Sequence, residues 1–277
     1  MASSKIIEFR REGLSFFTKY LEFLSQQKGW GWQFEVHPQY APELMKGALA
    51  VKVDLPLSDE ILPQLAVLPT LVRSLQCLDS FFYEDNKWFP RLLLHEALRE
   101  VLVHEANDLD TRAPAFIVGE NEEARISSAV AAEIGVSEIF LVGKKESLRT
   151  QYEILSRSQI GIHFHTLSPE DLTLQVFSAG IAINAVDLSE KKNLLTDLSY
   201  FNYMKGSGYV LDLNMLPVHN LLLEEAQRAE LRVLPPLLVA VTLTRMWLRR
   251  LKVSPDLSSK EIEESWKLFL KQNSSSV

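Results

Sequence analysis

The chain has 277 residues, 47% of them hydrophobic and 23% charged, enough for two modest domains with real cores. A formal net charge of -7 argues against a general partner among nucleic acids or anionic membranes, and a single cysteine, Cys77, excludes an intrachain disulfide and a cysteine metal cluster. That thiol reads as a small buried hydrophobe. The opening MASSKIIEFRREGL has no apolar core of a signal peptide, and the longest apolar run, 233–241, contains Pro235 and Pro236 and falls short of the roughly 20 residues of a membrane span. A cytoplasmic address is expected.

In chain order, residues 10–27 read as an amphipathic helix, with Leu14, Phe17, Tyr20, Leu21 and Leu24 at helical spacing. Segments 33–37 and 48–54 alternate like strands. Ser58-Asp59-Glu60 opens an apolar helical stretch, with acidic residues where a helix N-terminus favours them. Phe81 to Tyr83, then Glu84-Asp85-Asn86, then Lys87 to Phe89 predicts a hairpin, and 92–104 another helix. The polar segment 107–112 is the candidate domain boundary. Beyond it, strands at 115–118, 138–142, 161–166, 181–185 and 209–213 alternate with helices at 122–134, 145–156 and 224–230, the last lying between the final strand and 231–234. This alternation implies a parallel, doubly wound Rossmann-like sheet. Helices at 239–251 and 259–271 follow the Pro235-Pro236 turn, and the polar tail 273–277 is expected to fray.

A dinucleotide fold needs a tight turn after its first strand and bare backbone against the diphosphate, usually G-x-G-x-x-G/A. Here the loop is Gly119-Glu120-Asn121-Glu122-Glu123-Ala124. The first glycine is present and Ala124 meets the packing position, while Asn121 replaces the middle glycine, as a residue that tolerates a left-handed backbone better than most. Three glutamates surround the place of a diphosphate, each costing about a kcal/mol or more against a nearby anion. Read otherwise, they only complement a helix dipole. The second strand ends in Gly143-Lys144-Lys145, with Arg149 one turn on. These basic residues suit the 2′-phosphate of NADP, the 3′-phosphate of a coenzyme A-like molecule, or simply a solvated helix start.

In their order and spacing these segments resemble the shikimate dehydrogenases. The family's GAGGAAR-like loop matches Gly119–Arg125, its GVSEI segment matches Gly135 to Ile139, its basic N-R-T motif falls on Gly143-Lys144-Lys145, its I-N-A-T segment on Ile183-Asn184-Ala185-Val186, and its D-x-x-Y-x-P-x-x-T-x-L-L stretch runs from Asp212 through Pro217 to Leu223. The resemblance implies an N-terminal α/β substrate-type domain over 1–109, a nucleotide-binding domain over 110–236, and C-terminal helices over 237–277 that pack back on the first. It implies a small-molecule ligand in the cleft between the domains, no nucleic acid, no membrane, and a monomer or homodimer. It places cofactor contacts at Gly119, Asn121, Ala124, Arg125, Lys144, Lys145, Arg149 and Asn184.

The same resemblance puts the catalytic lysine of V-T-I-P-H-K-E at Ser58, within Val53–Asp59, and the catalytic aspartate of the N-T-D triplet at Leu94, within Leu92-Leu93-Leu94. The substrate serine pair has no counterpart, and the late substrate glutamine falls near Thr242. Oxidising a secondary alcohol needs a group to take the hydroxyl proton, and a leucine offers none. The expectation is a shikimate dehydrogenase-like protein without ordinary shikimate oxidation that binds an adenine-containing phosphorylated ligand. The alternatives are an NADP-dependent oxidoreductase acting on shikimate or another small hydroxy acid, with His37, Lys52, Asp54 and Tyr83 as titratable candidates, and a cofactor-free binding or regulatory module. The Val53–Ser58 segment also resembles the V-x-L-P-L-P stretch of methylenetetrahydrofolate dehydrogenases.

Other groupings carry less. His163 and His165 share one side of a strand, and His95 and His104 lie on a helix among Glu96, Glu100 and Glu105. Neither set supplies the ligand count of a metal site, and a strand-edge pair and a solvated helix face are the expected roles. Trp30, Trp32 and Trp88 are expected to pack the first domain or line an apolar cleft.

Overall fold

The computed structural model describes residues 4–172, 178–186, 201, 204–215, 221–253 and 256–273; Pro217 of the matched stretch and the tail beyond Asn273 lie outside them. The chain forms two compact units, one of Met1–Glu96 with Ala240–Val277 and one of Ala97–Val239.

In the first unit β1 (Lys5–Phe9), β2 (Gln33–His37), β3 (Ala50–Val53), β4 (Ser80–Glu84) and β5 (Lys87–Arg91) make a sheet in the order β2-β1-β3-β4-β5. β1 runs parallel to both of its neighbours, and β4 and β5 complete the sheet as an antiparallel hairpin. The hairpin turns through Asp85 and Asn86 at φ 48° and 62°. Two consecutive left-handed residues match the strand twist, and Asp and Asn accept them best. The pattern reading does not announce β1. Ile6, Ile7, Glu8 and Phe9 are all buried, and a strand covered on both faces shows no polar alternation.

The helix expected over 10–27 begins later, as α1 (Phe16–Lys28), because Ser15 sets its start by accepting the Thr18 N–H at 3.2 Å. The helical stretch expected from Ser58 breaks into short pieces, α2 (Ser58–Ile61) and α3 (Thr70–Leu75), with 3-10 turns at Leu55–Leu57 and Leu62–Gln64. Pro56, Pro63 and Pro69 each remove a backbone donor and prevent one continuous helix. α4 (Leu93–Glu105) follows the hairpin.

Among the described residues the second unit holds six strands, β6 (Ala115–Val118), β7 (Glu138–Val142), β8 (His163–Leu167), β9 (Ala179–Asn184), β10 (Met204–Asp212) and β11 (Arg232–Leu234). Their order is β11-β10-β9-β6-β7-β8, and every pairing is parallel. Between them come α5 (Glu122–Glu133), α6 (Lys145–Ser158), the one-turn α7 (Pro169–Leu172) and α8 (Leu221–Arg228). The expected doubly wound sheet is present. The segment after its last helix proves to be a further edge strand, β11, since Tyr209, Val210 and Leu211 offer it a free ladder. Phe116, Val118, Phe140, Val142, Ala182 and Val210 build a core with Leu222 and Ala226 of α8.

The terminal helices α9 (Pro236–Arg250) and α10 (Ser259–Asn273) return to the N-terminal unit. Trp266 stacks on Tyr20 of α1 with ring centroids 3.6 Å apart, and its indole N–H donates to Thr244 Oγ1 at 3.0 Å. Trp247 meets Phe82 of β4 edge-on at 5.0 Å. Among the described residues no helix is long and apolar enough to cross a membrane.

Candidate functional site

In an open parallel sheet, ligands bind beyond the carboxyl ends of the strands where the strand order reverses. In the second unit that point lies between β6 and β9, and the loop Gly119 to Asn121 leads from it into α5. Gly119 sits at φ +144°, and a Cβ there would stand 3.1 Å from Ala124 Cβ and 3.3 Å from Ala185 Cβ. Only glycine allows the turn to pass so close to α5 and to the end of β9. Ala124 is buried and small for the same reason.

Asn121 does not use a left-handed backbone. It is extended, at φ −104°, and acts as the N-cap of α5, its Oδ1 accepting the Ala124 N–H at 3.0 Å. Its Nδ2 donates to the Ala185 carbonyl at 2.7 Å. The side chain therefore spans the gap between β6 and β9, across which a diphosphate would approach the backbone. Arg125 is drawn into the fold, with its guanidinium 3.6 Å from Glu122.

Glu120 turns the other way. Its Oε1 accepts the Lys144 N–H at the start of α6, and its side chain covers Gly143 at the end of β7. Gln151 of α6 donates to the Glu120 carbonyl at 3.0 Å and ties the loop down. Lys144, Lys145 and Arg149 are exposed, and Arg149 pairs with Glu153 at 3.0 Å. Asn184 is directed inward: it donates to the Val186 carbonyl and to Asp212 Oδ1, both at 3.0 Å. Asn214 adds bonds to the same carbonyl and carboxylate at 2.6 and 2.8 Å, so the fully buried Asp212 latches the ends of β9 and β10. Gly119, Asn121 and Ala124 thus converge with Ala185, and Glu120 joins the same loop to the head of α6, where the basic residues stand exposed. Sequence reasoning missed the reach of Glu120 and the Asp212 latch. The glycine at 143, opposite a loop glutamate, was the available signal for the first.

In the first unit Ser58 is buried, and its hydroxyl donates to the Leu78 carbonyl at 3.3 Å while accepting the Leu78 N–H at 3.1 Å. Leu94 lies in the first turn of α4, whose N-terminus is held by Asp79: its carboxylate accepts the Leu93 and Leu94 N–H groups at 2.9 and 2.6 Å and the Ser80 hydroxyl at 2.7 Å. Glu8 is fully buried on β1, in register with Lys52 of β3. One carboxylate oxygen accepts the Ser15 N–H at 2.8 Å; the other has no hydrogen-bond partner among the described residues. Lys52 donates to the Val53 carbonyl at 2.8 Å, Asp54 pairs with Arg10 at 3.5 Å, His37 lies 3.4 Å from Glu35, and Tyr83 is exposed against Trp88. His95 is buried, contrary to the solvated face expected of its helix, because the apolar face of α4 includes it. His165 stacks on Phe140 at 4.6 Å and meets Glu138 at 3.3 Å. Cys77 is buried. Trp30 and Trp32 pack on each other at 4.5 Å. Among the described residues no group of three or more His, Cys, Asp or Glu side chains is placed to hold a metal ion.

No protein-family model matches the chain, and no curated protein matches its sequence. Solved structures do match its fold. Quinate dehydrogenase from Corynebacterium glutamicum, in complex with NAD, superposes with a TM-score of 0.80 at 11% identity, covering 96% of this chain and 99% of that one. Shikimate 5-dehydrogenase from Thermus thermophilus, in complex with NADP(H) and shikimate, gives 0.72 at 16% identity over 95% and 98%. The 5-ketofructose reductase of a Gluconobacter species gives 0.74 at 14% identity over 96% and 99%. The chain therefore has the fold of the shikimate and quinate dehydrogenases.

Proposed function

We propose that this chain is a binding protein of shikimate dehydrogenase fold that does not carry out ordinary shikimate oxidation, and that it takes an adenine-containing phosphorylated ligand at the β6–β9 switch. The observation that carries the first part is Ser58. At the position where the resemblance puts a catalytic lysine stands a buried hydroxyl bonded both ways to the Leu78 backbone, and Leu94 stands at the aspartate position. Neither exchanges a proton near neutral pH, and alcohol oxidation needs a group that does. The ligand reading is supported by the strand order, by the bare backbone at Gly119 and by the fold neighbours solved with NAD and NADP(H). Gly119, the α5 N-terminus and the loop beside Gly143 would hold such a ligand; bound nicotinamide would supply hydride transfer, for which this chain's own residues offer no proton acceptor at Ser58 or Leu94.

Thermal unfolding with NAD, NADP, ADP-ribose and coenzyme A tests the ligand half, since a ligand at 100 times its Kd stabilises by about 2.7 kcal/mol. Silence from all four favours a cofactor-free module. Turnover of shikimate or quinate with NAD or NADP at roughly 1 s⁻¹ or faster, within the usual enzyme range, would overturn the first half. A second reading, an oxidoreductase on another substrate, is favoured by Glu8: a buried carboxylate oxygen without a donor among the described residues, in register with Lys52, is the kind of group that takes a substrate hydroxyl. Any such activity should then vanish in Glu8→Gln.

A further inference from the structure

We propose that Glu120 selects a nucleotide with free ribose hydroxyls over one carrying a 2′-phosphate, so that the switch-point ligand is NAD-like and not the NADP to which the basic residues point. This rests on the nucleotide reading above. In this topology the adenosine ribose lies against the carboxyl end of the second strand, where an acidic group accepts from the 2′-hydroxyl and a basic group meets a 2′-phosphate. That strand is β7, and Gly143 follows its last residue, Val142. Gly143 supplies no side chain. A Cβ there would lie 2.6 Å from Glu120 Cγ and 3.0 Å from Glu120 Oε1, so the Glu120 side chain takes the place where a side chain at 143 would begin and brings its carboxylate to the end of the strand. The acid comes from the glycine loop, 24 residues before Lys144 in the chain, and only a glycine at 143 leaves it room.

The competing attraction is weaker by construction. A phosphate at the head of α6 would take the Lys144 N–H, and Glu120 Oε1 already accepts it. The loop is held in that position by Gln151 on the Glu120 carbonyl. Lys144 and Lys145 carry their charge on long side chains in open water, and Arg149 is paired with Glu153. Screening and side-chain freedom dilute such charges, whereas the partly exposed Glu120 carboxylate, placed against Gly143, repels a second anion at short range. A ribose hydroxyl gains a charge-assisted hydrogen bond from the same group.

Calorimetry on the full chain with NAD, NADP, ADP-ribose and ADP-ribose 2′-phosphate tests this. NAD and ADP-ribose should bind at least about tenfold tighter than their phosphorylated counterparts, a gap of about 1.4 kcal/mol. Glu120→Gln keeps an oxygen for the Lys144 N–H but removes the charge, and should narrow the gap to about threefold or less. Lys144→Ala with Lys145→Ala should leave the preference in place; this variant and the parent decide the matter if Glu120→Gln does not fold. NADP binding as tightly as NAD in the parent, or a lysine variant that selectively loses NADP, overturns the inference and leaves the nucleotide reading standing. Failure of all four ligands to bind overturns both.

Discussion

The two sheets both present polar side chains at the carboxyl edge of their parallel strands, and in both those side chains have turned back onto the protein's own backbone. They differ in depth. In the first unit Ser58 holds Leu78 and Asp79 holds Leu93 and the partly exposed Leu94, with both polar side chains in the interior. In the second, Asn121 holds Ala124 and Glu120 holds Lys144, yet both side chains keep some exposure. A buried group cannot give up its backbone N–H for a ligand without leaving that N–H unpaired in a dry site, at about 1–3 kcal/mol. A group at the surface exchanges it for water or a ligand oxygen at little cost. The same kind of contact is therefore fixed structure in one unit and available to binding in the other.

Asp79→Ala should give the largest effect. It removes three hydrogen bonds from a carboxylate that is 4% exposed and uncaps α4, so a loss of about 3 kcal/mol is expected in denaturant unfolding. A loss under about 1 kcal/mol would mean that water reaches the α4 N-terminus, and the contrast in depth would fail. Ser58→Ala should cost about 1–2 kcal/mol, since the Leu78 N–H and carbonyl both lose their partner, and should leave nucleotide affinity unchanged. A change in affinity would return Ser58 to the ligand site.

The same contrast decides what was legible beforehand. The second unit follows local rules. Ala115–Val118 and Glu138–Val142 are short apolar runs that stop at glycines, and the helices between them are set by residues nearby. The parallel order follows from the alternation alone. In the first unit, β1 is five residues long, carries Glu8 inside it and runs straight into Arg10, Arg11 and Glu12; what makes it a strand is pairing with Gln33–His37 and Ala50–Val53, far along the chain. No local pattern encodes that. At the site, the spacing of Gly119 and Ala124 was readable, and so was the excess of acid. That Asn121 caps α5 and bridges to Ala185, or that Glu120 reaches Gly143, depends on loops brought together only by the finished sheet.

Asn121→Gly probes the exposed side of the comparison. Replacing an N-cap Asn by Gly costs a few tenths of a kcal/mol, and with the Ala185 bond lost as well the total should stay below about 1.5 kcal/mol. Binding should move further than stability. The side chain lies across the gap between β6 and β9, and removing it restores the backbone approach that a diphosphate needs, so ADP-ribose affinity should rise about fivefold or more in calorimetry. Weaker binding would instead make the Asn121 amide a ligand contact.

The smallest effect belongs at the opposite edge of the same sheet, where the second unit carries a surface charge cluster near the start of β6. Hydrogen bonds from Arg112, then Lys205, hold the Asp110 carboxyl well below the ordinary aspartate range, and those from Arg232, then Tyr209, lower that of Asp108. A depressed folded value means that the stabilisation is fully present above the unfolded aspartate value of about 3.9 and is lost progressively as pH falls from there through the depressed folded value. Asp110→Asn should therefore lower the unfolding temperature slightly at pH 7, by a margin that shrinks steadily as pH falls below about 3.9. At the surface these pairs are screened, so the pH 7 difference should also shrink in roughly 0.5 M salt. A difference that survives salt would show that this edge behaves like the buried caps of the first unit, and depth alone would no longer separate fixed contacts from exchangeable ones.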